Sequence, residues 1–543
     1  MRITRSDQIE QKPPRSTTTE PGTTDPTSPS TTSPTATGDD LPAIDAVAWG
    51  PCDAAPDPWQ CGSIMVPMDY LRPTGEQIAV ALNRLPATDD SQRIGSLVLN
   101  PGGPGGSGLA IAFNEGDSFP DEIRARFDIV GFDPRGVGAS TAVRCPDGFD
   151  VAVESDLQPC IDLTGELLAY LGTPNVARDL EMVRKALGDE QLTYLGFSYG
   201  TALGAVYADM FPDRVRAMVL DGAIDPDAGQ SNVSGGGYDF YAQQDFEGTV
   251  DIFHTLCDAT TECAAGPHSA TLTERVYDTV RDTPAPYFAG GTDLRRSDVE
   301  DVIYGSMYSA SNWPVLAIAL RDADDGDAST IAAMASWLQF GYPADMESEA
   351  NFAIANIAIR CADFASRGSG SYECEQFPES AEPLPVISTI DASNPIVVVG
   401  TNGDPATPGR YADQLADALG DAVDIEWEGA GHTAFLSSIC ITDTVTAYIV
   451  DQVVPTDGET CAFVVGAATV AERADRIFEP IERGRAIDGI TPLLAGQGVP
   501  AAQVDCVAAA LVDNADERLI VHELLGVESP DLVTLRKRLI ANC

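Results

Sequence analysis

Short, unbroken apolar runs alternate with segments of helical period through the first half of the chain. Ile64 to Tyr70 and Ile78 to Leu85 pattern as an opening hairpin, with Leu97 to Asn100, Phe127 to Asp133, Leu192 to Leu195 and Arg216 to Leu220 as further strands. A strand apolar on both sides suits a parallel sheet covered on both faces. Ala177 to Leu187 places Leu180, Val183 and Leu187 at helical spacing and stops at Gly188, which predicts a helix. Thr201 to Tyr207 reads as another. From about Asp225 to Leu384 the alternation gives way to helical sequence punctuated by Gly and Cys, and strands resume at Pro395 to Gly400 and Val423 to Trp427. Past Cys461 only helical spacing remains, in Val504 to Val512, Glu517 to Leu525 and Leu532 to Ile540.

The chemistry enters where a strand meets a helix. Gly196-Phe197-Ser198-Tyr199-Gly200 follows the Leu192 to Leu195 strand and precedes the helix at Thr201. A serine between two glycines in that setting is a nucleophile elbow, whose tight turn presents the hydroxyl at the carboxyl edge of the sheet. A serine hydroxyl is a weak nucleophile and needs a base, an orienting carboxylate and an anion site. The chain has four histidines, His254, His268, His432 and His522. His432 sits in Glu428-Gly429-Ala430-Gly431-His432-Thr433, a glycine-containing loop after a strand, and is the candidate base. His254 and His268 flank a cysteine-containing segment, and His522 lies in a helix near the C-terminus. Asp404 follows the buried strand Pro395 to Gly400 and is the candidate orienting acid, with Thr407-Pro408 expected to cap the next helix. The order Ser198, Asp404, His432 is that of an α/β-hydrolase.

The anion site is expected after Leu97 to Asn100, in Pro101-Gly102-Gly103-Pro104-Gly105-Gly106-Ser107-Gly108. Glycines let backbone N–H groups approach a substrate without a Cβ in the way. The donors of this oxyanion hole are assigned to the N–H groups of Gly103 and Tyr199. The loop lacks the Gly-Lys-Ser/Thr ending of a phosphate loop and the spacing of a dinucleotide fingerprint, so no nucleotide cofactor is expected.

Five separated motifs together resemble a known family. Pro101 to Gly108 resembles the His-Gly-Gly-Pro-Gly loop of prolyl aminopeptidases, with Pro101 in place of the histidine. Gly131-Phe132-Asp133-Pro134-Arg135-Gly136-Val137-Gly138 resembles their Asp-x-Arg-Gly-x-Gly segment. With Gly196 to Thr201, Asp404 to Pro408 and Gly431-His432, the set is similar to the secreted tripeptidyl aminopeptidases of actinobacteria, from about Trp49 to Cys461. The resemblance implies an α/β-hydrolase core, a helical cap and release of short peptides from free N-termini.

That division is expected as a Thr/Pro/Ser-rich spacer at 1–43, core at 44–224, helical cap insertion at 225–384, core with the acid and base at 385–461, and a small helical C-terminal domain at 462–543. Residues 225–384 read as an insertion rather than a separate domain because Asp404 lies beyond them. No catalytic constellation occurs in the C-terminal segment.

Composition narrows the setting. The 12 cysteines fall into sequence-local couples: Cys52 with Cys61, Cys145 with Cys160, Cys257 with Cys263, Cys361 with Cys374, Cys440 with Cys461 and Cys506 with Cys543. Zinc-type Cys/His spacings are absent, so disulfides in an oxidising compartment are expected and no metal. The formal charge of −51 would repel nucleic acid and anionic membranes and disfavours both as partners. No stretch has the length of a transmembrane helix. The start lacks a signal-peptide core, so an export signal or anchor is expected upstream of residue 1 of an extracellular or cell-surface enzyme.

An exopeptidase, an esterase and a non-catalytic protein on a hydrolase scaffold all remain as readings, because peptidases and esterases share the triad. An aminopeptidase must hold a substrate ammonium, which requires a carboxylate. Asp363, beside Cys361 and among apolar neighbours, is the candidate anchor.

Overall fold

The computed structural model describes residues 41–543 apart from 53–56, 150, 152–155, 227–237, 289–293, 341–345, 365–373, 388, 391, 465, 468, 479–486, 488, 492, 495–498, 501–502 and 526. Most of the expected spacer at 1–43 lies outside the described residues. Ten strands form one sheet in the order β1-β2-β3-β5-β4-β6-β7-β8-β9-β10. They are β1 (Gly50–Pro51), β2 (Gln60–Pro67), β3 (Gln77–Leu85), β4 (Gly95–Asn100), β5 (Phe127–Phe132), β6 (Leu192–Phe197), β7 (Val215–Asp221), β8 (Ile396–Gly403), β9 (Ala422–Ala430) and β10 (Glu459–Cys461). The opening hairpin β2/β3 is antiparallel and meets β5 antiparallel, whereas β5, β4, β6, β7, β8, β9 and β10 run parallel.

Every residue of β4 and β5 is buried, as a two-faced strand demands. The alternation of side chains divides them between two cores. Val98, Met218, Leu220 and Val398 pack on one face with helices α4 (Thr173–Leu187), α5 (Gly200–Met210) and α12 (Arg410–Leu419). Leu97, Leu99, Leu195, Val219 and Val399 pack on the other with α1 (Gly108–Glu115), α2 (Asp121–Arg126) and α13 (Ile439–Asp451). Each such aliphatic side chain removed from water contributes about 1.5–3 kcal/mol. Helix α4 ends on Gly188 in the left-handed conformation, and Ser438 caps α13 by accepting from the Ile441 N–H. Helix α3 (Gln158–Thr164) lies between β5 and α4 in the chain.

Between β7 and β8 the chain forms α6 (Tyr238–Asp258), α7 (Ser269–Thr279), α8 (Arg296–Met307), α9 (Trp313–Asp324), α10 (Ser329–Phe340) and α11 (Met346–Phe364). These helices do not share one core. Residues of α6 to α10 surround Trp313 and Phe253, while Ile354, Ala355, Ala358, Ile359 and Ala362 of α11 pack into the core beneath α4 and α5. After β10, α14 (Val470–Ile477) contributes Ala474 to the core of α6 to α10, joined by Phe463 and Phe478. Helices α15 (Val504–Asn514), α16 (Glu517–Leu524) and α17 (Pro530–Asn542) enclose a small core of their own around Val507, Leu511 and Leu532. Arg518 pairs with Asp322 of α9 at 3.1 Å, and the Glu528 N–H donates to the Tyr287 carbonyl at 2.9 Å, so this unit rests on the cap.

All six sequence-local cysteine couples are bonded. Cys52 joins Cys61, which ties the end of β1 to β2, and Cys145 joins Cys160 on α3. Cys257 joins Cys263 at the end of α6, and Cys361 on α11 joins Cys374. Cys440 joins Cys461, which links α13 to β10, and Cys506 on α15 joins Cys543. No helix among the described residues is long and apolar enough to cross a membrane.

Candidate active site

Ser198 lies between β6 and α5 with φ of 55°, a left-handed conformation that costs a non-glycine residue on the order of 1–3 kcal/mol. The surroundings hold it there. The Ser198 N–H donates to the Asp221 carbonyl at 2.9 Å, and the Ser198 carbonyl accepts from the Thr201 N–H at 2.8 Å and the Thr201 hydroxyl at 2.6 Å. A Cβ on Gly196 would lie 2.5 Å from both the Gly200 carbonyl oxygen and Tyr194 Cε1, so the elbow closes only around glycine.

The loop after β4 lies against this elbow. A Cβ on Gly102, whose φ is +85°, would lie 2.4 Å from the Phe197 carbonyl oxygen and 2.8 Å from the Tyr199 nitrogen. Asn100 Oδ1 accepts from the Gly102 N–H at 3.0 Å, whereas the N–H groups of Gly103 and Tyr199 have no acceptor among the described residues. Buried Asp133 secures the far end, accepting from the Ser107 hydroxyl at 2.6 Å, the Leu109 N–H at 3.2 Å and the Ala139 N–H at 2.8 Å. Burial raises its carboxyl above the ordinary value despite those donors. Arg135, also from the Asp-x-Arg segment, is fully buried and grips both carboxylate oxygens of Asp179 on α4 at 2.6 Å.

Asp404 and His432 come from turns after neighbouring strands β8 and β9. His432 Nδ1 lies 3.0 Å from each oxygen of Asp404. The carboxylate also accepts from the N–H groups of Ala406 and Thr407 at 2.8 Å, from the Thr407 hydroxyl at 2.9 Å and from the Thr433 N–H at 3.2 Å. These bonds hold the carboxylate against Nδ1 of the imidazole, and with the proton on Nδ1 the candidate base is Nε2. The His432 N–H donates to the Tyr308 carbonyl at 2.8 Å, and the Tyr308 ring stands edge-on to the imidazole at 5.1 Å. Burial alone would lower the imidazole pKa, but the charges of Asp404 and Asp221 reverse this and hold it above the usual value.

Two expectations change. Thr407 does not cap the following helix: α12 begins at Arg410 with Gly409 as N-cap, and the Thr407 hydroxyl turns back to Asp404 and lies 3.3 Å from His432 Nδ1. Asp363 is fully buried, and its carboxylate accepts from the Thr173 N–H at 2.8 Å, the Thr173 hydroxyl at 2.7 Å and the Tyr199 hydroxyl at 2.6 Å. It braces Tyr199, the residue that follows the candidate nucleophile, and this bracing accounts for its burial without a bound ammonium. Thr407, Tyr308 and Asp221 are the site residues that sequence reasoning missed. Only Thr407 carried a local signal, three residues past the acid.

A serine on a strained elbow, a carboxylate–imidazole pair and a glycine loop with open N–H groups define a serine hydrolase of α/β-hydrolase fold. Models of the α/β hydrolase fold and of TAP-like proteins match residues 95–247 and 363–461. Serine protease Hip1 of Mycobacterium tuberculosis is 33% identical over 482 residues, covering 76% of this chain and 91% of that one. Tripeptidyl aminopeptidase of Streptomyces lividans is 44% identical over 208 residues, 33% of this chain and 38% of that one. Carboxylesterase B of M. tuberculosis is 33% identical over 460 residues, 74% of this chain and 86% of that one. The chain belongs to the α/β-hydrolase peptidase family of tripeptidyl-aminopeptidase-like proteins.

Proposed function

We propose that this protein is an exported serine exopeptidase that releases short peptides, tripeptides foremost, from free N-termini through an acyl-enzyme. Ser198 attacks the scissile carbonyl, and His432 Nε2 takes its proton and returns it to the leaving amine. Asp404 orients the imidazole and stabilises its charged form. The N–H groups of Gly103 and Tyr199 receive the oxyanion, and water then releases the acyl group. The observation that carries this reading is the contact of His432 Nδ1 with both oxygens of Asp404, on the turn beside an elbow serine. The peptidase relatives supply the substrate class. The six disulfides support export, with the extracellular space or cell surface as destination.

The test is a hydrolysis panel of tripeptidyl amides with free N-termini, their N-blocked forms, proline amides and short acyl esters. Free tripeptidyl amides should be cleaved fastest, and Ser198→Ala should lower turnover on the order of 10⁵-fold with the fold intact. Equal cleavage of blocked and free peptides would remove the exopeptidase reading. The similarity to a carboxylesterase favours one second reading, an esterase, in which the acyl esters would lead the panel.

A further inference from the structure

We propose that Asp221 is a positioning residue for this reaction, whose ionised carboxylate ties the loop carrying His432 to the strand beside the nucleophile. Asp221 ends β7 and is fully buried. Its main-chain carbonyl accepts the Ser198 N–H at 2.9 Å. Its carboxylate accepts from two consecutive residues of the histidine loop: the Ala434 N–H lies 3.0 Å from both oxygens and the Phe435 N–H 2.8 Å from Oδ2. The next residue, Gly222, donates its N–H to the Val399 carbonyl on β8, the strand that carries Asp404, at 3.0 Å. Asp221 and Gly222 therefore bind all three segments that bear the candidate triad.

The loop needs such a hold. Thr433 and Leu436 have φ of 69° and 66°, so two non-glycine residues occupy the left-handed region close after His432. A carboxylate accepts from successive N–H groups with no donor of its own, and a neutral acid or amide in its place points a donor at them. The charged groups that act on Asp221 are His432 on the histidine loop and Asp404 after β8, while the elbow after β6 offers uncharged Ser198. Burial pushes the Asp221 carboxyl up to about 6, against the pull of the two N–H groups and of His432. Its negative charge in turn helps to raise the imidazole.

The inference rests on the triad assignment, and the experiment separates the two. In the full-length oxidised protein, Asp221→Asn should lower kcat by about 10- to 100-fold, the scale of charged hydrogen bonds, with KM little changed. The acid limb of its kcat/KM profile should move to lower pH, because His432 loses a neighbouring negative charge. A wild-type limb, whether or not kcat falls, would overturn the proposal, because a merely structural residue leaves it in place. Should Asp221→Asn not fold, the wild-type profile decides. Below about pH 6 its acid limb should steepen from a one-proton toward a two-proton slope as Asp221 joins His432, and a one-proton slope throughout would overturn the proposal. Failure of the triad reading shows separately, as an active Ser198→Ala.

Discussion

The Thr407 hydroxyl donates to Asp404 Oδ2 across 2.9 Å, wholly buried, and lies 3.3 Å from Nδ1 of His432. Thr407→Val keeps the shape and removes the donor. It should lower kcat by about 10-fold or more, the effect of a hydrogen bond to a charged group, with KM nearly unchanged. Thr407→Ser should retain most of the rate. Steady-state kinetics on a tripeptidyl amide would show it, and an unimpaired valine variant would remove Thr407 from the mechanism.

Asp363 gives a contrasting test. Because its carboxylate holds Thr173 and the Tyr199 hydroxyl, Asp363→Asn should weaken kcat/KM for peptides and neutral esters alike. A loss of about 1–3 kcal/mol of stability is expected from the mismatched donors. An effect confined to substrates with a free amino group, read from the same panel, would restore the ammonium-anchor role.

The ionisation of Asp221 also links stability to pH. Its carboxyl is raised from 3.8 to about 6 in the folded protein. A raised folded value contributes stability that is fully present below the unfolded pKa and is lost as pH rises through the folded one. The stability of wild type relative to Asp221→Asn should therefore fall on the order of 3 kcal/mol between about pH 3.5 and pH 7. Urea denaturation of both proteins across that range measures it. A constant difference would mean that the carboxylate is not desolvated as its burial requires.

The Cys506–Cys543 bond closes a separation of 37 residues and joins α15 to the end of the chain. Loop-closure entropy assigns such a link about 4 kcal/mol. Replacing both cysteines by serine should speed amide hydrogen exchange in α15 to α17 and leave turnover nearly unchanged, since no residue of the candidate triad lies in that unit. Exchange as slow as wild type would show that the small apolar core holds those helices alone.

The candidate triad was legible because its signals are local. Ser198 sits between glycines at a strand end, and Asp404 and His432 follow buried strands. The sheet was legible for the same reason, except β1 and β10, whose two and three residues are too few to show a pattern. What was not legible depends on distant partners. Asp221 meets Ala434 across 213 positions and Asp363 meets Thr173 across 190, and no spacing rule reaches so far. Thr407-Pro408 had the composition of a helix cap, but two intervening residues let the helix start at Arg410 and freed the hydroxyl for Asp404.

Phe463, Ala474 and Phe478 complete the core of α6 to α10 from beyond β10. All three candidate triad residues lie within the first 432 positions, yet part of the interior of the cap comes only after them. A chain ending at Cys461 would carry the complete candidate triad beneath a cap with an exposed apolar face, which makes it prone to aggregate.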